Sequence, residues 1–199
     1  MSGVDEKIAR IRLKKRIANI EKDNIQEEKV EEKTILDVMK EMKDGEVCID
    51  NKKIQFSEKS YLNNRITINI PIGYMEENLN EENNVTLTNE FYGLSFVANY
   101  STFDTKVQEF SEFKKSMIKQ FKNNELDMTW LDEGNLNNGE EKIPYGIYKT
   151  STSKGELFNI IFYKTTKNSM LVGNYNCYYK DIKLFENIIK ASIFLMKFN

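Results

Sequence analysis

The last third of this chain leaves little choice of architecture. Ile143 to Thr150, Glu156 to Lys164 and Met170 to Tyr179 are three runs rich in β-branched and aromatic residues. Ser153-Lys154-Gly155 and Thr166-Lys167-Asn168 separate them, at hairpin loop lengths. Connections this short force antiparallel neighbours, and consecutive hairpins make a meander. Asp181 then stands where a helix would begin. In that helix Phe185, Ile188, Ile189, Ser192, Ile193 and Met196 recur at helical spacing and define a buried face. The predicted class is α+β, an antiparallel sheet with helices packed on it.

Alternation sorts the last two strands into two rows. Phe158, Ile160 and Phe162 share one with Leu171, Gly173, Tyr175 and Cys177. This is the more apolar row, so it is assigned to the face under the closing helix. The other row holds Leu157, Asn159, Ile161 and Tyr163 with Val172, Asn174, Asn176 and Tyr178. It is unusually apolar for a solvated face. Either more helix covers it or it binds something, and these eight residues are the candidate partner-binding surface.

The preceding residues follow the same grammar. Val47 to Asp50 and Lys53 to Phe56 flank Asn51 and Lys52, a compact hairpin signal. Arg65 to Ile70 alternates until Pro71, which has no N–H to donate to a ladder. Tyr74 to Asn84 is acidic and rich in Asn, and is expected to be a surface loop. Val85 to Thr88 and Tyr92 to Tyr100 are expected strands. Asp104 is placed as the N-cap of an amphipathic helix over Thr105 to Lys122, with Val107, Phe110, Phe113, Met117, Ile118 and Phe121 on its apolar side. Met128 to Leu131 reads as a strand and Asp132 to Glu141, with two glycines, as a loop.

Residues 1–45 differ in kind and are assigned to a helical extension, leaving 46–199 as the sheet domain. Val4, Ile8 and Ile11 recur at helical steps, as do Leu13, Ile17 and Ile20. Ile35, Val38, Met39 and Met42 form a second stripe that stops at Gly45, a natural helix terminator. Lys7, Arg10, Arg12, Lys14, Lys15 and Arg16 crowd the first stripe. The acidic stretch that follows balances them, so they read as a solvated face rather than a nucleic-acid or lipid contact.

Composition closes off several chemistries. The chain has 199 residues and no histidine. Ser-His-Asp and Cys-His catalysis, and nearly every zinc or non-haem iron site, therefore fall away. No phosphate-binding glycine loop or metalloprotease motif is present. Paired acids such as Glu27-Glu28 and Glu140-Glu141 lie in polar segments, where carboxylates keep ordinary proton affinities. No catalytic residue, metal or cofactor is expected. Lys plus Arg number 29 against 31 Asp plus Glu, which gives no global case for nucleic acid. No run approaches the ~20 apolar residues of a membrane span, and Met1 to Ala18 lacks the apolar core of a secretory signal. A cytoplasmic location is expected, with Cys48 and Cys177 as thiols.

The order of elements resembles a known family. A strand closing in Pro (Ile66-Thr67-Ile68-Asn69-Ile70-Pro71) is followed by a strand and a helix. Gly146-Ile147-Tyr148, then Phe158-Asn159-Ile160-Ile161-Phe162, come next. Leu171 to Cys177 leads into Ile188-Ile189-Lys190-Ala191-Ser192-Ile193. Over residues 60–196 this resembles the PsbP-like (Mog-type) α/β/α sandwich, and in general form the cytosolic Eag-type secretion chaperones. The resemblance implies a non-catalytic protein. The expected function is that of a chaperone or adaptor for a hydrophobic helical segment of a partner, such as a secreted effector or toxin. The alternative is an assembly component of a secretion or phage-like apparatus that forms homo-oligomers through residues 1–45.

Overall fold

The structure is a computed structural model that describes residues 33–49, 51–103, 109–137, 142–165 and 168–199. The basic stripe and its proposed oligomer contact lie outside these residues, as does Asp104. The first described helix, α1 (Ile35–Lys43), starts on a capping box in which Thr34 and Asp37 bond reciprocally. It stops at Asp44, and Gly45 follows at φ +92°. Val38, Met39 and Met42 are buried. Their burial joins this helix to residues 33–199 as one compact unit, although its sequence places it with the extension.

Two antiparallel sheets form the body. The smaller contains β1 (Glu46–Ile49), β2 (Lys52–Tyr61), β3 (Ile66–Pro71) and β11 (Lys197–Phe198), in the order β1-β2-β3-β11. Ile49 pairs with Lys52, so the first hairpin reverses one residue earlier than its sequence suggests, with Asn51 at φ +61°. The larger sheet contains β4 (Glu76–Asn80), β5 (Asn84–Asn89), β6 (Leu94–Thr102), β7 (Met128–Asn137), β8 (Lys142–Thr152), β9 (Gly155–Thr165) and β10 (Ser169–Tyr178). Its spatial order is β4-β5-β6-β10-β9-β8-β7. The expected meander is β8-β9-β10, and β6 completes the other side of β10.

Two expected loops are strands. Residues 76–80 are all exposed, yet they pair with β5. Strand β7 runs past Leu131 to Asn137 because its backbone pairs with β8 throughout, with a register shift at Trp130/Asp132. The outer strand at the other edge, β4, also shifts register, between Glu77 and Leu79. Bulges and charges at both edges disfavour the addition of a further strand.

Helix α3 (Ile182–Leu195) follows a 3-10 turn at Tyr179–Asp181, which displaces Asp181 from capping geometry. Its Phe185, Ile188, Ile189, Ala191, Ser192 and Ile193 are buried. All but Ser192 join one cluster with Phe158, Ile160, Phe162, Leu171, Tyr175 and Cys177 of the large sheet, and Ile54, Ile66 and Ile68 of the small one. The apolar row is therefore the face that packs under the closing helix. Lys164 ends this row: its Nζ donates to the Met196 carbonyl at 2.7 Å, satisfying the C-terminus of α3. Among the described residues no helix is long and apolar enough to cross a membrane.

Candidate functional site

The second row lies on the opposite face of the large sheet, and the structure divides it in two. One half is covered by α2 (Phe110–Asn123), the aromatic helix expected from the sequence, which begins behind Glu109. Phe110 and Phe113 meet the Tyr163 ring at centroid distances of 6.1 and 5.5 Å. Met117 packs with Ile161 and Tyr148, and Val172 borders this group. Phe121 meets Tyr148 edge-on at 5.9 Å. Burial pushes the Tyr148 hydroxyl up to about 12 and raises that of Tyr163 as well.

The other half is polar. The Tyr148 hydroxyl donates to Asn174 Oδ1 at 3.0 Å. Asn174 Nδ2 donates in turn to Asn159 Oδ1 at 3.4 Å. Asn159 spends its own amide on Thr150 Oγ1 (3.1 Å) and the Leu157 carbonyl (3.2 Å). Asn176 is held between the Ser95 hydroxyl and the Gly93 carbonyl. Asn159 is buried, whereas Leu157, Asn174, Asn176 and Tyr178 are half-buried. The eight predicted residues thus share one face, but only Ile161, Tyr163 and Val172 meet the apolar cluster beneath α2.

Sequence reasoning did not give this site Trp130, Tyr148, Lys114 and Glu133. The indole of Trp130 stacks on Tyr148, with centroids 6.1 Å apart and planes 9° from parallel. Lys114 of α2 lies 4.5 Å from the Trp130 ring centroid and 2.5 Å from a Glu133 oxygen. Trp130 Nε1 is buried with no hydrogen-bond partner among the described residues. Hairpin register was the usable signal. Thr152 pairs with Gly155 across a two-residue loop, which sets Tyr148 opposite Asn159 and on the same face.

The seat of α2 is thin. Helices α2 and α3 both have 14 residues, but α3 buries six and α2 only Met117. A fully buried apolar side chain contributes roughly 1.5–3 kcal/mol. Helix α2 therefore rests on one such residue and three partly covered phenylalanines, while α3 is part of the core. Among the described residues, no three or more Cys, Asp or Glu side chains gather as a metal-binding group.

No family model matches the chain, and no curated protein matches it. Solved structures do. The solution structure of cyanobacterial PsbP (CyanoP) from Synechocystis sp. PCC 6803 superposes with a TM-score of 0.58 at 5% identity. That match covers 77% of this chain and 98% of that one. The crystal structure of the Saccharomyces cerevisiae Ran-binding protein Mog1p gives 0.52 at 7% identity, covering 73% and 96%. The fold is PsbP-like; at these identities the likeness is one of fold.

Proposed function

We propose that this protein is a non-enzymatic adaptor or chaperone that holds a hydrophobic helical segment of a partner protein on the second face of its large sheet. One observation carries the reading: that face already seats an amphipathic helix. Phe110, Phe113, Met117 and Phe121 of α2 meet Tyr163, Ile161 and Tyr148. A surface that accepts such a stripe within the chain has the shape and chemistry to accept one from another. A Ran-binding neighbour agrees with a protein partner. In this reading the partner is a secreted effector of the kind that Eag-type chaperones escort, and the adaptor meets it in the cytoplasm.

The test is binding of the purified chain to an array of helical peptides tiled from the proteins of its host. Saturable binding to peptides with an aromatic helical stripe, weakened at least about tenfold by Ile161→Asp, supports the reading. Peptides that bind no better than their scrambled versions would sink it.

A further inference from the structure

We infer that α2 is an exchangeable occupant of its seat, and that the incoming segment is a helix repeating the pattern of α2. That pattern has apolar residues at the spacing of Phe110, Phe113, Met117 and Phe121, with a cation at the place of Lys114. The inference rests on the functional reading above and adds the identity of the competitor and the means of regulation.

Three observations carry it. First, α2 buries one residue where α3, of equal length, buries six, so it can leave without opening the main core. The residues beneath it form a cluster separate from the one shared by α1, α3 and the two sheets. Second, Trp130 Nε1 is buried with no partner among the described residues, in an indole that packs on the cluster beneath α2 and lies under Lys114 of that helix. A buried, unsatisfied N–H penalises the seated state relative to one in which water or an incoming side chain accepts that bond. Third, the seat has a charged address. Glu133 pairs with Lys114, whose ammonium also lies over the Trp130 ring. A competing helix keeps this contact only if it offers a cation one turn past its first aromatic residue. Helix α2 thus sets a threshold: a segment must match the stripe and the cation to displace it, and weaker apolar segments are excluded.

The chain reports on itself, because Trp130 is its only tryptophan. Hydrogen exchange on the unmodified protein comes first. The amides of α2 should exchange at least about 100-fold faster than those of α3, through an opening that leaves the sheets protected. Exchange of α2 only with global unfolding overturns the inference, while peptide-array binding would still stand.

Next, Met117→Asp should unseat α2 and shift Trp130 emission to the red. A peptide of residues 109–124 added to this variant should restore the emission saturably. The same peptide carrying Met117→Asp should not, and one carrying Lys114→Glu should bind at least about tenfold more weakly. An unseated but folded chain that takes no peptide would overturn both the inference and the functional reading. If circular dichroism shows the variant unfolded, the paired change Phe113→Ala and Phe121→Ala replaces it, with the same outcomes.

Discussion

The Trp130 ring lies directly over Gly146: a β-carbon built on this glycine would sit 2.2 Å from the indole. No side chain fits there while the ring keeps its place. Gly146→Ala should therefore push the indole off Tyr148 and into α2, costing about 1–3 kcal/mol by overpacking. Urea denaturation gives the cost. A shift in tryptophan emission shows whether the indole has moved, and unchanged emission would contradict the predicted displacement.

Asn159 donates to Thr150 Oγ1 and the Leu157 carbonyl while accepting from Asn174. A carboxylate has no hydrogens to give, so Asn159→Asp should lose both donations and set a charged oxygen against the Leu157 carbonyl, which can only accept. Burial would raise the folded-state pKa of the new acid above its unfolded value. For an acid shifted that way, the penalty is absent below the unfolded value and grows as pH rises through and beyond it. The variant should match the parent near pH 3 and fall progressively behind it towards pH 7. Thermal melts across that range decide.

The Glu41 carboxylate accepts from Lys33 Nζ at 2.6 Å and from the Cys48 N–H at 3.1 Å. The Lys33 bond, chiefly, holds its pKa below the usual carboxylate range. With the folded value depressed, the contribution is complete above the unfolded value of about 4.3 and lost as pH falls through the folded one. Glu41→Gln should cost about 0.5–1 kcal/mol at pH 7, the scale of a partly exposed pair. The difference from the parent should vanish in strong acid, which melts at the two pH values would show.

Lys164→Met keeps the aliphatic stem but removes the donor to the Met196 carbonyl. It also removes a cation from the C-terminal end of α3. A loss of about 1–2 kcal/mol is expected. The amides of β11 should exchange faster in the variant; equal exchange would mean that this bond does not anchor the strand.

The two thiols should react in a fixed order. Cys177 is buried, and burial, reinforced by the charges of Asp181 and Glu186, pushes its thiol up to about 12. Cys48 is half-exposed. At pH 8 iodoacetamide should modify Cys48 first, and Cys177 only on the timescale of unfolding. Peptide mass mapping of partly labelled protein reads the order directly.

Particular residues show what the sequence could reveal. The meander and the α3 face were legible because short loops fix neighbours and alternation fixes faces. Phe158, Ile160 and Phe162 lie where that logic puts them. Strand β4 was not legible, since Glu76 to Asn80 bury no side chain and owe their extended state to the β5 backbone. Strand β7 was hidden behind Gly134, which reads as a breaker but pairs with Tyr145. For the candidate site, periodicity gave both the second row and the aromatic stripe of α2. It could not show that they meet, because helical spacing says which side is apolar and not which sheet face receives it.

The small sheet has a further consequence, for the order of folding. Its β11 edge is held by bonds such as Asn199 Nδ2 to Thr67 Oγ1, between groups 132 positions apart. The β8-β9-β10 hairpins pair near neighbours in sequence. Closing a long loop carries a larger entropic cost than closing a hairpin, and distant pairings form slowly. The meander should therefore gather first and the β3-β11 ladder last. A misfolding fault in this chain would then show as an intact meander with α3 against it and the side of α3 that meets Ile54, Ile66 and Ile68 still open.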